Sequence, residues 1–350
     1  MSTALSTPTP ATSHAAAGDA PERAPRDRSI DTVAGALIVL VVFGHAIEPL
    51  EGRVSEAVLQ WLFLFHMPAF VFLTGYVTRW STHISLRSLA TRLLFPLAVF
   101  TVIHVALAAA LTAESPALTP LTPPWTLWYL AAVFAWRVAA PWLSRLPAAV
   151  TVTTCAALLV GTLDVVGSTL ALALSRIVAF APFFVAGLLW RDAWWARLRT
   201  RPVRIAAAIA LAGALVWSWV SSPTFDRSVL FLTDSYQVFG LTNAAGIVQR
   251  AAVLALGGAL ALALLSFSGP QSRRLAVIGA ATLPVYLLHP LLLYPAHLHG
   301  YPEALSGPVM LPVLALASAL FAWAVTQPRV VAWTRPLMDL RWWRDRARSR

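Results

Sequence analysis

Apolar stretches about as long as a membrane-spanning helix recur along the whole of this 350-residue chain. A helix needs about 20 predominantly apolar residues to cross a bilayer. Inside lipid, every backbone amide must be paired within its own segment, so such stretches are helices rather than open sheets. Charged residues make up only 12% of the chain, whereas a typical soluble domain carries about 25%. The sequence therefore predicts an all-α, polytopic membrane protein.

The apolar stretches divide the chain into three parts. Residues 1–29 contain no apolar run and are predicted to form a disordered cytoplasmic tail. Residues 30–326 are predicted to form the transmembrane domain, and residues 327–350 a basic cytoplasmic tail. About ten transmembrane helices are expected, over residues 31–49, 58–78, 90–112, 125–143, 147–165, 172–190, 203–220, 246–267, 275–298 and 308–326.

The arginines predict the orientation of these helices. All 26 basic residues are Arg, and 22 of them fall in segments that are cytoplasmic if the N-terminus is inside. An excess of basic residues on the cytoplasmic side is the usual pattern of membrane proteins. We therefore expect an even number of spans with both termini in the cytoplasm. The net charge of +11 would then face anionic lipid headgroups, and nothing indicates a groove for nucleic acid.

A single cysteine excludes two kinds of site. Cys155 lies in the fifth predicted span and has no second cysteine to pair with. An internal disulfide and a thiolate metal cluster are therefore excluded. Cys155 is expected to pack in the core, and no metal site is predicted.

Ionisable residues inside predicted spans are the strongest indication of a functional site in a membrane protein. His45 and Glu48 are three residues apart on the first helix, so their side chains share a face. A carboxylate beside an imidazole fixes its tautomer and raises its basicity, as a general base requires. The alternative is that Glu48 is merely solvated at the helix end.

Three further histidines fall at a similar predicted depth, in the outer half of the bilayer. His66 precedes a proline that distorts its helix, and His289 stands in the segment Tyr286-Leu287-Leu288-His289-Pro290. His104 is surrounded by Val and Ala, which favours a structural hydrogen bond to a neighbouring helix. We keep His66 and His289 as candidate substrate-binding residues.

Polar and aromatic residues near the predicted helix ends allow two interpretations. Trp128, at an outer end, is by default part of the aromatic belt at the membrane surface, although it is also a candidate for substrate binding. Arg176 and Arg250 could pair with Glu48, with Asp164 or with an anionic acceptor. Arg87 and Arg92 open the third helix on the cytoplasmic side, where arginines at a helix N-terminus suit phosphate but also follow from topology.

The ordered set of motifs resembles the membrane acyltransferase 3 family, and within it the branch similar to fucose 4-O-acetylase. The matching pieces run in family order from residue 31 to about residue 326. They are Asp31 with Val41-Val42-Phe43-Gly44-His45, Phe65-His66-Met67-Pro68-Ala69-Phe70 with Leu73-Thr74-Gly75-Tyr76, Arg92-Leu93-Leu94-Phe95-Pro96, Leu127-Trp128-Tyr129-Leu130, Pro182-Phe183-Phe184 with Gly187, and Val285-Tyr286-Leu287-Leu288-His289.

The resemblance implies an enzyme in a bacterial plasma membrane that takes an acyl group, usually acetyl, from cytoplasmic acyl-CoA. The acceptor would be a hydroxyl of a carbohydrate or related molecule at the outer face, and no cofactor would be bound. His45 corresponds to the family's catalytic histidine, and His289, Tyr286 or Arg176 would stabilise the oxyanion. Asp31, Arg87 and Arg92 would bind the donor. The family usually has Arg or Lys where this chain has Ala34.

Two other functions compete with acyl transfer. Histidines and arginines inside the membrane also suit a proton-coupled transporter or a flippase for a lipid-linked sugar or small metabolite. The missing internal repeat and the scarcity of carboxylates within the spans speak against transport. A scaffold or sensor that has kept the fold without the activity is the third possibility.

Overall fold

The chain folds entirely into helices over the residues that the computed structural model describes, which are 28–79, 85–112, 123–163, 169–269, 272–302, 307 and 309–348. No strand occurs among these residues. The helices are α1 Arg28–Ile47, α2 Arg53–Thr78, α3 Leu86–Thr112, α4 Trp128–Leu143, α5 Ala149–Leu159, α6 Thr169–Leu188, α7 Asp192–Leu198, α8 Arg201–Ser221, α9 Asn243–Ser266, α10 Arg273–Ala280, α11 Thr282–His299, α12 Met310–Val325, α13 Pro328–Met338 and α14 Leu340–Arg348.

Each predicted span overlaps at least one of these helices, and the all-helical prediction is confirmed. By length and apolar composition, five described helices are able to cross a membrane: α1, α2, α3, α8 and α9. Three bent pairs raise the number of candidate spans to as many as eight, namely α6 with α7, α10 with α11 and α12 with α13.

One predicted span is interrupted by a bend. Residues 275–298 were expected to form a single span, but the chain bends by 79° between α10 and α11 at Ala281. Pro284 is the third residue of α11. Proline is tolerated in a first turn, whose N–H groups have no intrahelical partner, and disfavours helical continuation before it. The second helix therefore starts just ahead of this proline.

Two pairs of glycines bring helices into backbone contact. A Cβ atom on Gly75 of α2 would lie 1.9 Å from the Phe184 carbonyl oxygen of α6, and one on Gly187 would lie 1.9 Å from the Phe72 oxygen. The same reciprocal contact joins α1 to α10, through Gly35 and Gly279. Only glycine permits such approach. These contacts set the separation of the helices that carry the candidate site.

Apolar side chains also cover the outside of the bundle, as expected of a protein in lipid. Val216 of α8 is 63% exposed and Leu316 of α12 is 62% exposed. The predicted burial of Cys155 is wrong, because this side chain is exposed on α5. The predicted C-terminal tail contains α13 and α14, and α13 contacts α3. Of the predicted N-terminal tail, residues 1–27 lie outside the described part.

Candidate active site

The last turn of α1 and the turn after it carry a paired histidine and carboxylate. His45 lies in the final turn of α1, and Glu48 follows the helix end at Ile47. As the three-residue spacing predicted, the side chains face each other, with 3.2 Å between His45 Nδ1 and Glu48 Oε2. An ionised carboxylate only accepts hydrogen bonds, so Nδ1 carries the proton. His45 therefore keeps a lone pair on Nε2.

Glu48 lies beyond the end of the helix, in surroundings that keep its carboxyl group ionised. Burial by itself raises the pKa of Glu48. The hydrogen bond and charge of His45, with smaller effects from His297 and Arg227, outweigh burial and bring this pKa below its ordinary value. Glu48 is therefore a carboxylate at neutral pH, where it can stabilise a positive charge on His45.

His45 and Glu48 open into a pocket of about 590 Å³, counted with its mouth. Most of the wall is aromatic or aliphatic, and the polar groups are few. The lining residues are His45, Glu48, Phe63, His66, Met67, Trp125, Thr126, Trp128, Arg176, Phe180, Leu230 and Phe231.

Aromatic rings hold the His45 imidazole in position. Trp125 contacts it edge-on at 5.2 Å between ring centroids, and Phe63 does so at 6.1 Å. His289 of α11 stacks on it at 5.5 Å, with 26° between the ring planes. Together with Glu48, these rings restrict the rotation of the imidazole. The orientation of Nε2 is thus fixed by residues from several elements of the fold.

The three other candidate histidines share one backbone arrangement. His66, His104 and His289 each donate Nδ1–H to the carbonyl oxygen four residues earlier, at 2.7, 3.0 and 3.0 Å. A carbonyl only accepts, so Nε2 is unprotonated in each neutral ring. Among the described residues, this nitrogen on His104 and on His289 is buried without a hydrogen-bond partner. A buried acceptor without a partner is costly, and the His289 ring lies next to His45.

The structure brings some of these histidines together and leaves one apart. His66 lines the pocket and His289 contacts His45, so both lie at the candidate site. His104 is outside the lining and contacts Tyr294 at 6.2 Å between ring centroids. Its position agrees with the structural role that the sequence favoured.

Arg176 of α6 also reaches the pocket. Its guanidinium lies 5.1 Å from the centre of the Trp128 ring and lines the cavity. The expected pairing with Glu48 is not found, because Glu48 contacts His45 instead. Asp164, the other expected partner, lies outside the described residues. Among the described residues, Arg176 has no hydrogen-bond or ion-pair partner.

The aromatic residues at the start of α4 lie inside the protein. Trp128 is 8% exposed and Tyr129 is 6% exposed, so the default expectation of a belt facing the membrane surface is wrong. Trp128 lines the pocket, as its candidate role requires. Tyr286 is absent from the lining, and its hydroxyl donates to the Thr126 carbonyl oxygen. Tyr286 thus holds the turn that precedes Trp128.

The loop between α8 and α9 closes one side of the pocket. Leu230 and Phe231 belong to the lining, and Ser175 of α6 donates to the Leu232 carbonyl oxygen at 3.1 Å. Arg250 is buried and donates to the carbonyl oxygens of Asp234 and Ala157, at 2.8 and 3.3 Å. Asp164 lies outside the described residues, and among these Arg250 forms no ion pair with a carboxylate. Arg250 holds this loop against the bundle.

The candidate donor-binding residues lie far from the pocket along their helices. Asp31 is 14 residues before His45 on α1, roughly 21 Å at the helical rise. Arg87 and Arg92 are exposed in the first two turns of α3. Arg137 of α4 was not among the predicted site residues. Among the described residues its buried Nε has no hydrogen-bond partner, and Arg92 repels it. Arg137 stands within an apolar stretch of the sequence, and the predicted topology does not explain an arginine there.

Most of the pocket wall could not be predicted from the sequence. Phe63, Trp125, Phe180 and Phe231 are apolar residues in apolar segments, and nothing in their spacing distinguishes them from core residues. The proline near His66 and the candidate Trp128 were the local signals. The pocket becomes visible only when the helices are packed.

The fold and the pocket define an all-helical membrane protein with a partly buried histidine–carboxylate pair in a largely aromatic cavity. The family model of an acyltransferase domain, that of the acyltransferase 3 family, matches residues 27–327. The chain therefore belongs to this acyltransferase family. This membership supports an acyltransferase and does not favour the transporter or flippase. No match was found among curated proteins or among solved structures.

Proposed function

We propose that this chain is an acyl-CoA-dependent O-acyltransferase, with His45 as the general base. The observation that supports this most is the His45–Glu48 contact at the wall of a pocket, in a chain of an acyltransferase family. Nδ1 of His45 is hydrogen-bonded to Glu48, so Nε2 is the nitrogen available to a substrate hydroxyl. General-base assistance of this kind is worth about 10²–10⁴-fold in rate.

In the proposed reaction, Nε2 of His45 removes the hydroxyl proton of the acceptor while that oxygen attacks the thioester carbonyl. The tetrahedral intermediate then collapses, the carbon–sulfur bond breaks, and the CoA thiolate takes the proton back from His45. The ester and free CoA are the products, so protons and electrons balance. Glu48 stabilises the imidazolium between the two steps.

The unpartnered Nε2 of His289 suits a binding role for this residue better than an oxyanion role. Because Nδ1 of His289 already donates to Val285, the neutral ring has only an acceptor left to offer. An acceptor nitrogen cannot stabilise an oxyanion, but it can receive a hydrogen bond from a second substrate hydroxyl. The Tyr286 hydroxyl is likewise already engaged as a donor.

Asp31, Arg87 and Arg92 are proposed to bind acyl-CoA at the cytoplasmic end of the bundle, with Arg28 or Arg92 supplying the charge that is missing at Ala34. Arginine suits CoA phosphates because its planar fork donates two hydrogen bonds at once. The acyl arm would then extend between helices to His45. We further propose ten spans, both termini in the cytoplasm of a bacterium, an acetyl donor and a carbohydrate acceptor at the outer face.

Transfer of radiolabelled acetyl from acetyl-CoA in membranes tests this proposal. Membranes containing the unaltered chain should label a glycan or lipid fraction, and His45→Ala at equal protein level should lose about 10²–10⁴-fold of that rate. His104→Ala is the matched control, because this histidine lies outside the pocket. Equal labelling by the unaltered chain and by His45→Ala would refute the role of His45.

A further inference from the structure

Arg176 is a positive charge in the pocket for which no partner is present among the described residues. Its guanidinium lies against the Trp128 face, and the surrounding lining from Phe180 and Phe231 is aromatic. Contact with an aromatic face attracts the guanidinium but supplies no hydrogen-bond acceptor. Among the described residues, no acceptor lies within hydrogen-bond distance of its N–H groups.

The two described carboxylates that attract this guanidinium do not pair with it. Glu48 and Asp234 both attract Arg176, but neither forms an ion pair with it. Glu48 is engaged with His45, and the Asp234 carboxylate accepts a hydrogen bond from Thr233 at 2.8 Å. A largely buried charge without a paired, hydrogen-bonded counterion is costly. The arrangement therefore favours a ligand that brings its own negative charge.

The position of Arg176 indicates which substrate it meets. Ser175, the preceding residue, donates to the Leu232 carbonyl of the loop between α8 and α9. Arg176 is thus on the side of the pocket that this loop closes, whereas the proposed donor site lies at the opposite end of the bundle. A group bound by Arg176 belongs to the molecule that enters from the loop side, which is the acceptor.

We propose that the acceptor carries an anionic oxygen group, a carboxylate or a phosphate, which Arg176 binds while His45 takes the proton of a nearby hydroxyl. This inference rests on the proposed acyl transfer. The guanidinium fork matches either group with two parallel N–H···O hydrogen bonds. The substrate class is therefore an acidic sugar, a sugar phosphate or a similar hydroxylated anion, rather than a neutral carbohydrate.

Thermal stabilisation of the purified full chain in detergent micelles tests binding without catalysis. The probes are D-glucuronate with its uncharged methyl ester, and D-glucose 6-phosphate with D-glucose. At least one charged probe should raise the melting temperature more than its neutral counterpart, and the responding pair distinguishes carboxylate from phosphate. Arg176→Gln should weaken the apparent affinity for that probe by about 10–100-fold, and Arg176→Lys should weaken it less.

Arg53→Gln is the matched control. Arg53 lies at the N-terminus of α2 outside the pocket, where it donates to the Trp219 carbonyl oxygen, and its loss tests the general effect of surface charge. This variant should bind the charged probe as the unaltered chain does. If Arg176→Gln does not fold, Arg176→Lys measures the contribution of Arg176 to binding.

His45→Ala separates this inference from the proposed function, because it should lose transfer but still bind the charged probe. Equal responses to charged and neutral probes, or no response to any probe, would overturn the inference. So would equal losses in Arg176→Gln of transfer to charged acceptors, transfer to neutral acceptors and acyl-CoA hydrolysis. That last result would assign Arg176 to the tetrahedral oxyanion instead.

Discussion

The orientation of His45 depends on one short contact and on three aromatic neighbours. Glu48 fixes the tautomer from within the same segment, whereas Trp125, Phe63 and His289 come from other elements. The first contact could be predicted from sequence because three-residue spacing places two side chains on one face. The ring contacts could not, because they arise from packing between helices.

Replacing Glu48 by Gln should lower transfer without abolishing it. The amide keeps a similar shape but loses the charge that stabilises protonated His45, and its NH₂ group can stabilise the wrong tautomer. We expect a fall in kcat of about 10–100-fold, smaller than the loss in His45→Ala. The measurement is acetyl transfer at saturating donor. Full activity in Glu48→Gln would show that the carboxylate has no part in the mechanism and that Glu48 is merely solvated at the helix end.

Phenylalanine at the two histidines with unpartnered nitrogens should separate their roles. His289→Phe keeps a ring that stacks on His45 but removes the acceptor nitrogen, so transfer should fall about 3–10-fold, the worth of one hydrogen bond. His104→Phe removes the corresponding Nε2 atom from a histidine that lies outside the pocket. This variant should leave the rate unchanged. Both variants are compared by initial rates at matched protein level. Equal losses in the two variants would show that neither nitrogen contacts substrate.

At the level of helices, glycine contacts position the residues of the site. The α2–α6 contact at Gly75 and Gly187 sets the spacing between the helices of His66 and Arg176. The α1–α10 contact does the same for His45 and for the α11 segment that follows with His289. Small residues at such interfaces allow the close approach that drives association of helices in lipid.

Gly75→Ala should therefore destabilise the fold and loosen the pocket. The new methyl group would overlap the Phe184 carbonyl of α6, and overpacking of this kind typically costs about 1–3 kcal/mol. Gly213→Ala in α8 is the control, since a Cβ atom there meets nothing within 4 Å and favours the helix. Thermal unfolding in detergent should show a lower midpoint for Gly75→Ala alone. An unchanged midpoint would mean that α2 and α6 can move apart at Gly75 without loss of stability.

The sequence predicted where helices form better than it predicted where they bend and which of their side chains are buried. Apolar length sufficed for α1, α2, α3, α8 and α9, because a long apolar run in lipid has no alternative to a helix. The bend at Ala281 was missed, although Pro284 was a local signal for a new helix start. Cys155 and Trp128 were assigned to the wrong environments because their facing depends on neighbours distant in sequence.

For the molecule as a whole, the direction of the proposed reaction requires opposite ends of the bundle to face different compartments. The pocket with His45 and the loop between α8 and α9 must face outward, and the arginine-rich ends must face the cytoplasm. Single cysteines test this in a Cys155→Ser background. Pro223→Cys lies in the loop and Arg273→Cys at the start of α10, and both positions are exposed.

A membrane-impermeant maleimide should label Pro223→Cys in intact cells, and should label Arg273→Cys only after the membrane is opened. The control is the cysteine-free chain, which should remain unlabelled. The reversed pattern would place the pocket on the cytoplasmic side, so that acyl-CoA and acceptor would meet without an acyl group crossing the bilayer. Labelling of both positions in intact cells would mean an even number of spans between them, which contradicts the arginine distribution.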